Sequence, residues 1–140
     1  MTLYAESSAV LGWLLEEEAG EPARELLAAA ATVIASDLTL VECDRVLRRA
    51  TAAGKIAEAG AADRRGRLAA AAAAWHVLRI EDDVVQRARG AFPIEPVRTL
   101  DALHLASALV ARSAQPGLTI LSTDERVRAN AQALGFDVIP

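Results

Sequence analysis

A chain of 140 residues that holds one cysteine, one tyrosine, two phenylalanines and two tryptophans excludes several designs at once. The lone Cys43 cannot close an internal disulfide, which suits a reducing compartment, so a cytoplasmic location is expected. Aromatic residues make up 4% of the chain, too few for the base-stacking platform that single-strand binders use. No apolar run reaches the roughly 18 residues that a membrane span needs. The N-terminus shows no basic stretch followed by an apolar run and a cleavage site, so no secretory leader is expected. A glycine-rich phosphate loop is missing too, which argues against a nucleotide triphosphatase. The net charge of −4 and the pI near 5.2 argue against a non-specific nucleic-acid coat, because such binding accumulates Lys and Arg at phosphates. An enzyme acting on nucleic acid stays open, since acids gathered in one pocket add negative charge that a bound metal neutralises.

What the chain does hold is apolar material, 53% of its residues, much of it alanine. That composition suits helices packed closely on a flat surface, and the length suits one domain over residues 1–140. Leu3-Tyr4-Ala5 reads as a short buried strand ending at Glu6. Ser7 or Ser8 can cap a helix to about Glu17, Gly20 breaks it, and Glu21-Pro22 opens another to about Ala30. A second strand is expected at Thr32–Ala35, then a helix capped by Ser36 and running to Gly54. Residues 56–73 read as helical, Trp75–Leu78 as a third strand and Asp82–Arg89 as a helix. After the loop from Phe92 to Arg98, Thr99 caps a helix from Leu100 to about Arg112. Leu118–Leu121 is a fourth strand, Asp124–Leu134 a helix and Phe136–Ile139 a closing strand. Short apolar strands alternating with helices imply an α/β fold, a three-layer α/β/α sandwich around a parallel sheet. Sites in such sheets form beyond the carboxyl ends of the strands, near a switch in strand order.

Four acids fall at comparable places in this layout. Glu6 ends the first strand, Glu42 lies about two turns into the helix after the second, Asp101 is in a first turn, and Asp124 directly follows the fourth strand. If the first and fourth strands are neighbours, Glu6 and Asp124 project from one edge and Asp101 comes close. Clustered acids repel unless protons or metal ions offset the charge, and oxygen-only ligation suits Mg²⁺ or Mn²⁺ rather than structural zinc. Taken singly, each acid also has a purely structural explanation. Thr39-x-x-Glu42 and Ser122-x-x-Glu125 match capping boxes, Asp101 and Asp124 sit where a helix dipole favours negative charge, and Glu6 could be a surface acid. Capping alone accounts poorly for the whole set at strand ends.

Leu3-Tyr4-Ala5-Glu6-Ser7-Ser8-Ala9-Val10 resembles the opening strand and turn of PIN domains, and Ala35-Ser36-Asp37-Leu38-Thr39-Leu40-Val41-Glu42 is similar to their second acidic segment. Arg98-Thr99-Leu100-Asp101-Ala102-Leu103-His104-Leu105-Ala106-Ser107-Ala108 is the most specific piece and resembles the third-acid pattern of VapC-type toxins. Ser122-Thr123-Asp124-Glu125-Arg126-Val127 resembles the fourth. The resemblance runs along the whole chain and is least distinctive at 55–95. It implies a PIN-like fold and a metal-dependent endoribonuclease toxin that hydrolyses RNA phosphodiester bonds and is neutralised by a VapB-like antitoxin. It also implies a homodimer. The catalytic set is then Glu6, Glu42, Asp101 and Asp124, with Glu6, Asp101 and Asp124 holding Mg²⁺ or Mn²⁺ and Glu42 completing the cluster or orienting the attacking water. Ser7 or Thr123 would hydrogen-bond a ligand carboxylate, as groups behind a metal site usually do.

One departure stands out: the family's first acid is typically Asp, and here it is Glu6. The extra carbon moves the carboxylate by about 1.5 Å, and Mg²⁺ holds its ligands at about 2.0–2.1 Å in near-octahedral geometry. Two alternatives therefore stand beside the nuclease: a PIN-fold protein with weakened catalysis that binds RNA or a partner, and a phosphohydrolase acting on DNA or small phosphate esters. Arg45 and Arg49 share a helical face with Glu42 and either contact RNA phosphates or balance the acids. His104, one turn after Asp101, reads as a hydrogen-bonded packing residue more readily than as a general base. Trp13 either joins the core or lines an apolar groove with Leu14 and the 21–30 helix, where the resemblance places an antitoxin segment.

Overall fold

In the computed structural model of residues 1–140, Leu3, Tyr4 and Ala5 lie in the middle of a five-stranded sheet and are buried on both of its faces. Strands β1 (Thr2–Ala5), β2 (Thr32–Ser36), β3 (His76–Leu78), β4 (Leu118–Leu121) and β5 (Val138–Ile139) are ordered β3-β2-β1-β4-β5 and pair in parallel throughout. Seven helices connect and cover them: α1 (Ser7–Leu14), α2 (Gly20–Ala29), α3 (Asp37–Ala52), α4 (Glu58–Ala72), α5 (Asp82–Ala88), α6 (Thr99–Ala114) and α7 (Glu125–Ala133). Parallel strands need such crossovers, and helices on both faces explain why these strands are apolar runs without alternation.

Side chains alternate across the sheet. Tyr4, Ile34 and Ile120 join Leu105 of α6 and Val127 of α7 in one core. Ala5, Val33 and Ala35 face the other way, with Val10 and Leu14 of α1, Cys43 and Leu47 of α3 and Leu68 of α4. Leu3 and Leu121 meet Ala9 and Ala23 beneath α2. The three-layer sandwich expected from the sequence is the observed fold.

The register fixes the position of the acids. Tyr4 pairs with Ile120 and Ala5 with Leu121, and the ladder continues as the Glu6 amide donates to the Leu121 carbonyl at 3.0 Å. The chain builds β1, β2 and β3 outward to one side and then returns to place β4 on the other side of β1. The switch in strand order therefore falls between β1 and β4, where open α/β sheets form their sites.

Several local expectations are corrected. Helix α1 begins at Ser7 with Glu6 at its cap position and no side-chain cap bond, because both serine hydroxyls are directed to carboxylates. Helix α1 also ends at Leu14, earlier than Glu17. Thr99 is the first residue of α6, and Arg98 occupies the cap position. Thr39 lies inside α3 and donates to the Ala5 carbonyl at 3.0 Å, so it forms no capping box with Glu42. Asp124, not Ser122, caps α7 by accepting from the Arg126 and Val127 amides at 2.9 and 3.2 Å. The closing strand is shorter than expected and begins at Val138. Gly20 starts α2 hard against α1: a Cβ there would stand 2.1 Å from the Gly12 carbonyl oxygen.

Candidate active site

Two pairs of acids gather at the carboxyl edge of the sheet, each pair held by a different kind of donor. Glu6 follows β1 and is 4% exposed. Its Oε1 accepts from Ser7 Oγ at 3.0 Å, and its Oε2 accepts from Ser122 Oγ at 2.7 Å and also from Ser8 Oγ. Helix α3 brings Glu42 to the same place, where Ser7 Oγ lies 3.0 Å from Glu42 Oε1. The single hydroxyl proton of Ser7 serves one carboxylate at a time, so Ser7 joins Glu6 and Glu42 as a shared donor.

His104 of α6 completes this half. Its Nε2 is 2.6 Å from Glu42 Oε1 and 3.1 Å from Ser7 Oγ, and its Nδ1 is 3.0 Å from Tyr4 Oη. An ionised carboxylate only accepts, so the short contact assigns a proton to Nε2. Burial raises the Glu42 carboxyl, but the His104 and Ser7 hydrogen bonds and the charges of His104 and Arg98 prevail and hold it below the ordinary carboxylate range. Burial pushes the Tyr4 phenol far above its usual value, which keeps it neutral.

Asp101, in the first turn of α6, and Asp124, after β4, form the second pair. Arg98 spans them, donating from Nε to Asp101 Oδ2 at 2.7 Å and from Nη2 to Asp124 Oδ2 at 3.0 Å. The other oxygen of Asp124 caps α7. Burial acts to raise the Asp124 carboxyl, yet the Val127 and Arg126 amides and the Arg98 charge hold it below the usual range. The two pairs meet through serines: the Asp124 amide donates to Ser8 Oγ and to Ser122 Oγ at 3.2 Å each, and both hydroxyls donate to Glu6. Every buried side-chain nitrogen and oxygen has a hydrogen-bond partner.

The donor set is oxygen-only, which suits a hard divalent cation. Asp101 and Asp124 already converge on one cationic group, the Arg98 guanidinium, and that pair fits an ion. Glu6 does not stand beside them as a third ligand: no three Asp, Glu, His or Cys side chains form a ready-made metal group. To join a shared ion, Glu6 would have to release serine hydroxyls that now hold it.

The remaining residues singled out in the sequence divide as follows. Ser7 contacts carboxylates as expected, whereas the β4-side hydroxyl on Glu6 belongs to Ser122; Thr123 contributes its backbone amide to Ser8 Oγ at 2.9 Å. Arg45 and Arg49 are exposed and, with Glu42 and Leu100, line a cleft of about 670 Å³. Trp13 is partly buried and lines an apolar cleft of about 320 Å³ with Leu27, Ala71 and Trp75, while Leu14 is a core residue. Cys43 is fully buried; burial, then the neighbouring acids, push its thiol up, which leaves no thiolate nucleophile. Arg98 and the Tyr4 hydroxyl have no role in the sequence reading, and Ser8 and Ser122 figure there only as helix caps. The hydroxyl pairing across strands shows only once β1 and β4 are adjacent, but Arg98 was discoverable from its three-residue spacing to Asp101.

An open parallel sheet with carboxylates at its strand-order switch defines an α/β protein with an acidic site at that edge. The match to a family model places it further: residues 3–133 match the PIN domain, and the chain belongs to that family. A segment of 58 residues is 36% identical to Ribonuclease VapC35 of Mycobacterium tuberculosis, covering 41% of this chain and 43% of the relative. The matched segment thus spans less than half the length of that curated relative. Among solved structures, Mycobacterium tuberculosis VapC20, described as a Sarcin-Ricin loop cleaving toxin, superposes with a TM-score of 0.63 at 18% identity over 96% of this chain and 95% of that one. A toxin-antitoxin complex from Klebsiella pneumoniae gives a TM-score of 0.62 at 17% identity over 100% and 97%. At these identities the two structures share the fold. No helix is long and apolar enough to cross a membrane.

Proposed function

We propose that this PIN-domain protein is a divalent-metal-dependent endoribonuclease of the toxin type, with RNA as substrate and a VapB-like antitoxin as partner. The observation that carries the reading is the convergence of Asp101 and Asp124 on one cation at the edge where Glu6 and Glu42 also lie. The family membership and the ribonuclease named among its relatives support it.

A bound Mg²⁺ or Mn²⁺ supplies Lewis-acid stabilisation of charge developing on a phosphoryl group and lowers the pKa of water. Asp101 and Asp124 would hold that ion, with Glu6 joining as its hydroxyl contacts rearrange. Glu42, kept anionic by His104 and Ser7, is suited to accept a hydrogen bond from the attacking water and orient it. Arg45 and Arg49 lie beside Glu42 in a cleft open to solvent, where they can pair with phosphates along an RNA strand. The cleft of Trp13 and Trp75 suits an apolar antitoxin segment. A homodimer belongs to the same reading and is read by light scattering.

The direct test is cleavage of RNA by rigorously purified protein with Mg²⁺ or Mn²⁺. Wild type should cut and Asp101→Asn should not, while its circular dichroism is unchanged; cleavage that survives both Asp101→Asn and EDTA rejects the reading. A second reading, a PIN-fold binding protein with weakened catalysis, is favoured by the three serine hydroxyls that hold Glu6. Activity present in Glu6→Asp but absent in wild type would decide for it.

A further inference from the structure

The Asp101 and Asp124 carboxylates are free to share an ion along few directions. Asp124 Oδ1 accepts from two backbone amides at the start of α7, so that carboxylate cannot turn without uncapping the helix. Its remaining oxygen, Oδ2, is bound by Arg98. Asp101 presents its own Oδ2 to the same guanidinium. An ion placed between these aspartates would meet the Arg98 positive charge within contact range, and two cations that close repel strongly.

Arg98 is also held in an unfavourable place. It occupies the cap position of α6, at the positive end of the helix dipole, where a cation is disfavoured. The two carboxylates hold it there: the hydrogen bond and charge of Asp101, then Asp124, raise the stability of its protonated form. Its side chain is 54% exposed and borders a cleft of about 570 Å³ between the 94–98 loop and α7. The guanidinium therefore has open space to move into without disturbing the core.

We infer that Arg98 is the resident counter-cation of Asp101 and Asp124, that a divalent ion displaces it, and that it thereby sets the ion affinity of the site. The inference rests on the nuclease reading for its ion and goes beyond it in assigning a residue that tunes occupancy. In the ion-free chain Arg98 neutralises the aspartate pair and keeps both carboxylates in place. Ion entry breaks two charge-assisted hydrogen bonds, so the site binds more weakly than its carboxylates alone would.

Titration of chelator-stripped protein with Mn²⁺, followed by calorimetry, tests this without any activity measurement. Arg98→Gln should bind Mn²⁺ about tenfold more tightly than wild type, the scale set by two partly exposed ion pairs, and Arg98→Lys should fall between them. Arg126→Gln removes equal charge from the same cleft and keeps the backbone amide that donates to Asp124; its side chain bonds neither aspartate, so it should match wild type. Without the ion, Arg98→Gln should melt below wild type, and added Mn²⁺ should raise its Tm by more. Equal or weaker binding by Arg98→Gln, or equal tightening by Arg126→Gln, overturns the role of Arg98 while the ion site stands. Failure of wild type and of all three variants to bind Mn²⁺ overturns the ion site, and the inference with it.

Discussion

The His104 imidazole and the Glu42 carboxylate meet at 2.6 Å although 62 residues separate them in the chain. On its other side the imidazole meets the Tyr4 hydroxyl at 3.0 Å, so a buried line of polar groups runs from the middle of β1 to the acidic edge. His104 is 2% exposed, and its removal leaves Glu42, Ser7 and Tyr4 each short of a partner. His104→Ala should cost roughly 2–4 kcal/mol through the cavity and the unpaired groups. Tyr4→Phe, which removes one hydroxyl, should cost about 1–2 kcal/mol. Urea denaturation of the single and double variants checks this; the double variant should lose less than the sum, because both changes break one shared contact.

Acid should destabilise the ion-free chain through Glu42 and Asp124. Both carboxyls titrate below their ordinary values of 4.5 and 3.8 in the folded chain. As pH falls the unfolded chain takes up those protons first, so the stabilisation is complete above the ordinary values and is lost as pH falls through the lowered ones. The urea midpoint measured in chelator from pH 6 downward, ~0.5 pH unit at a time, should fall most steeply below the ordinary carboxylate range. Glu42→Gln and Asp124→Asn should each flatten that fall.

Two glycines should respond to alanine with opposite signs. Gly20 faces the Gly12 carbonyl oxygen, where a Cβ would stand at 2.1 Å, and both atoms belong to backbone that cannot yield locally. Gly20→Ala should therefore force α1 and α2 apart and cost about 1–3 kcal/mol. Gly66 lies inside α4 with nothing within 4 Å of an added Cβ, so Gly66→Ala should stabilise by about 0.5–1 kcal/mol. Thermal melts of the two variants side by side read both effects.

The fold was legible because each strand is a short apolar run bounded by a helix signal, a pattern that only a covered parallel sheet satisfies. Leu118–Leu121 and Thr32–Ser36 illustrate it: no alternation, no turn residues, and a helix start within four residues of each strand's end. The four acids were legible as a set at strand ends, and Glu6, Glu42, Asp101 and Asp124 do lie at one edge. Their pairing was not. Whether Ser7 holds Glu6 or Glu42, and whether Asp124 turns to Arg98 or to the α7 amides, depends on side-chain rotamers and on the adjacency of β1 and β4. Ser36 does cap α3, accepting from the Leu38 amide at 3.1 Å. Other cap expectations failed for the same reason: Ser7, Ser122 and Thr39 have hydroxyls suited to helix starts, and other partners claimed them.

The central claim is that Asp101 and Asp124 hold a divalent cation at the carboxyl edge of β1 and β4. Anomalous diffraction from a crystal soaked in Mn²⁺ tests it most directly. The account predicts one peak within ligand distance of both aspartates, about 2.0–2.4 Å from oxygen, with Arg98 swung into the neighbouring cleft. Density for Arg98 still spanning the two carboxylates, with no peak between them at saturating Mn²⁺, would contradict it.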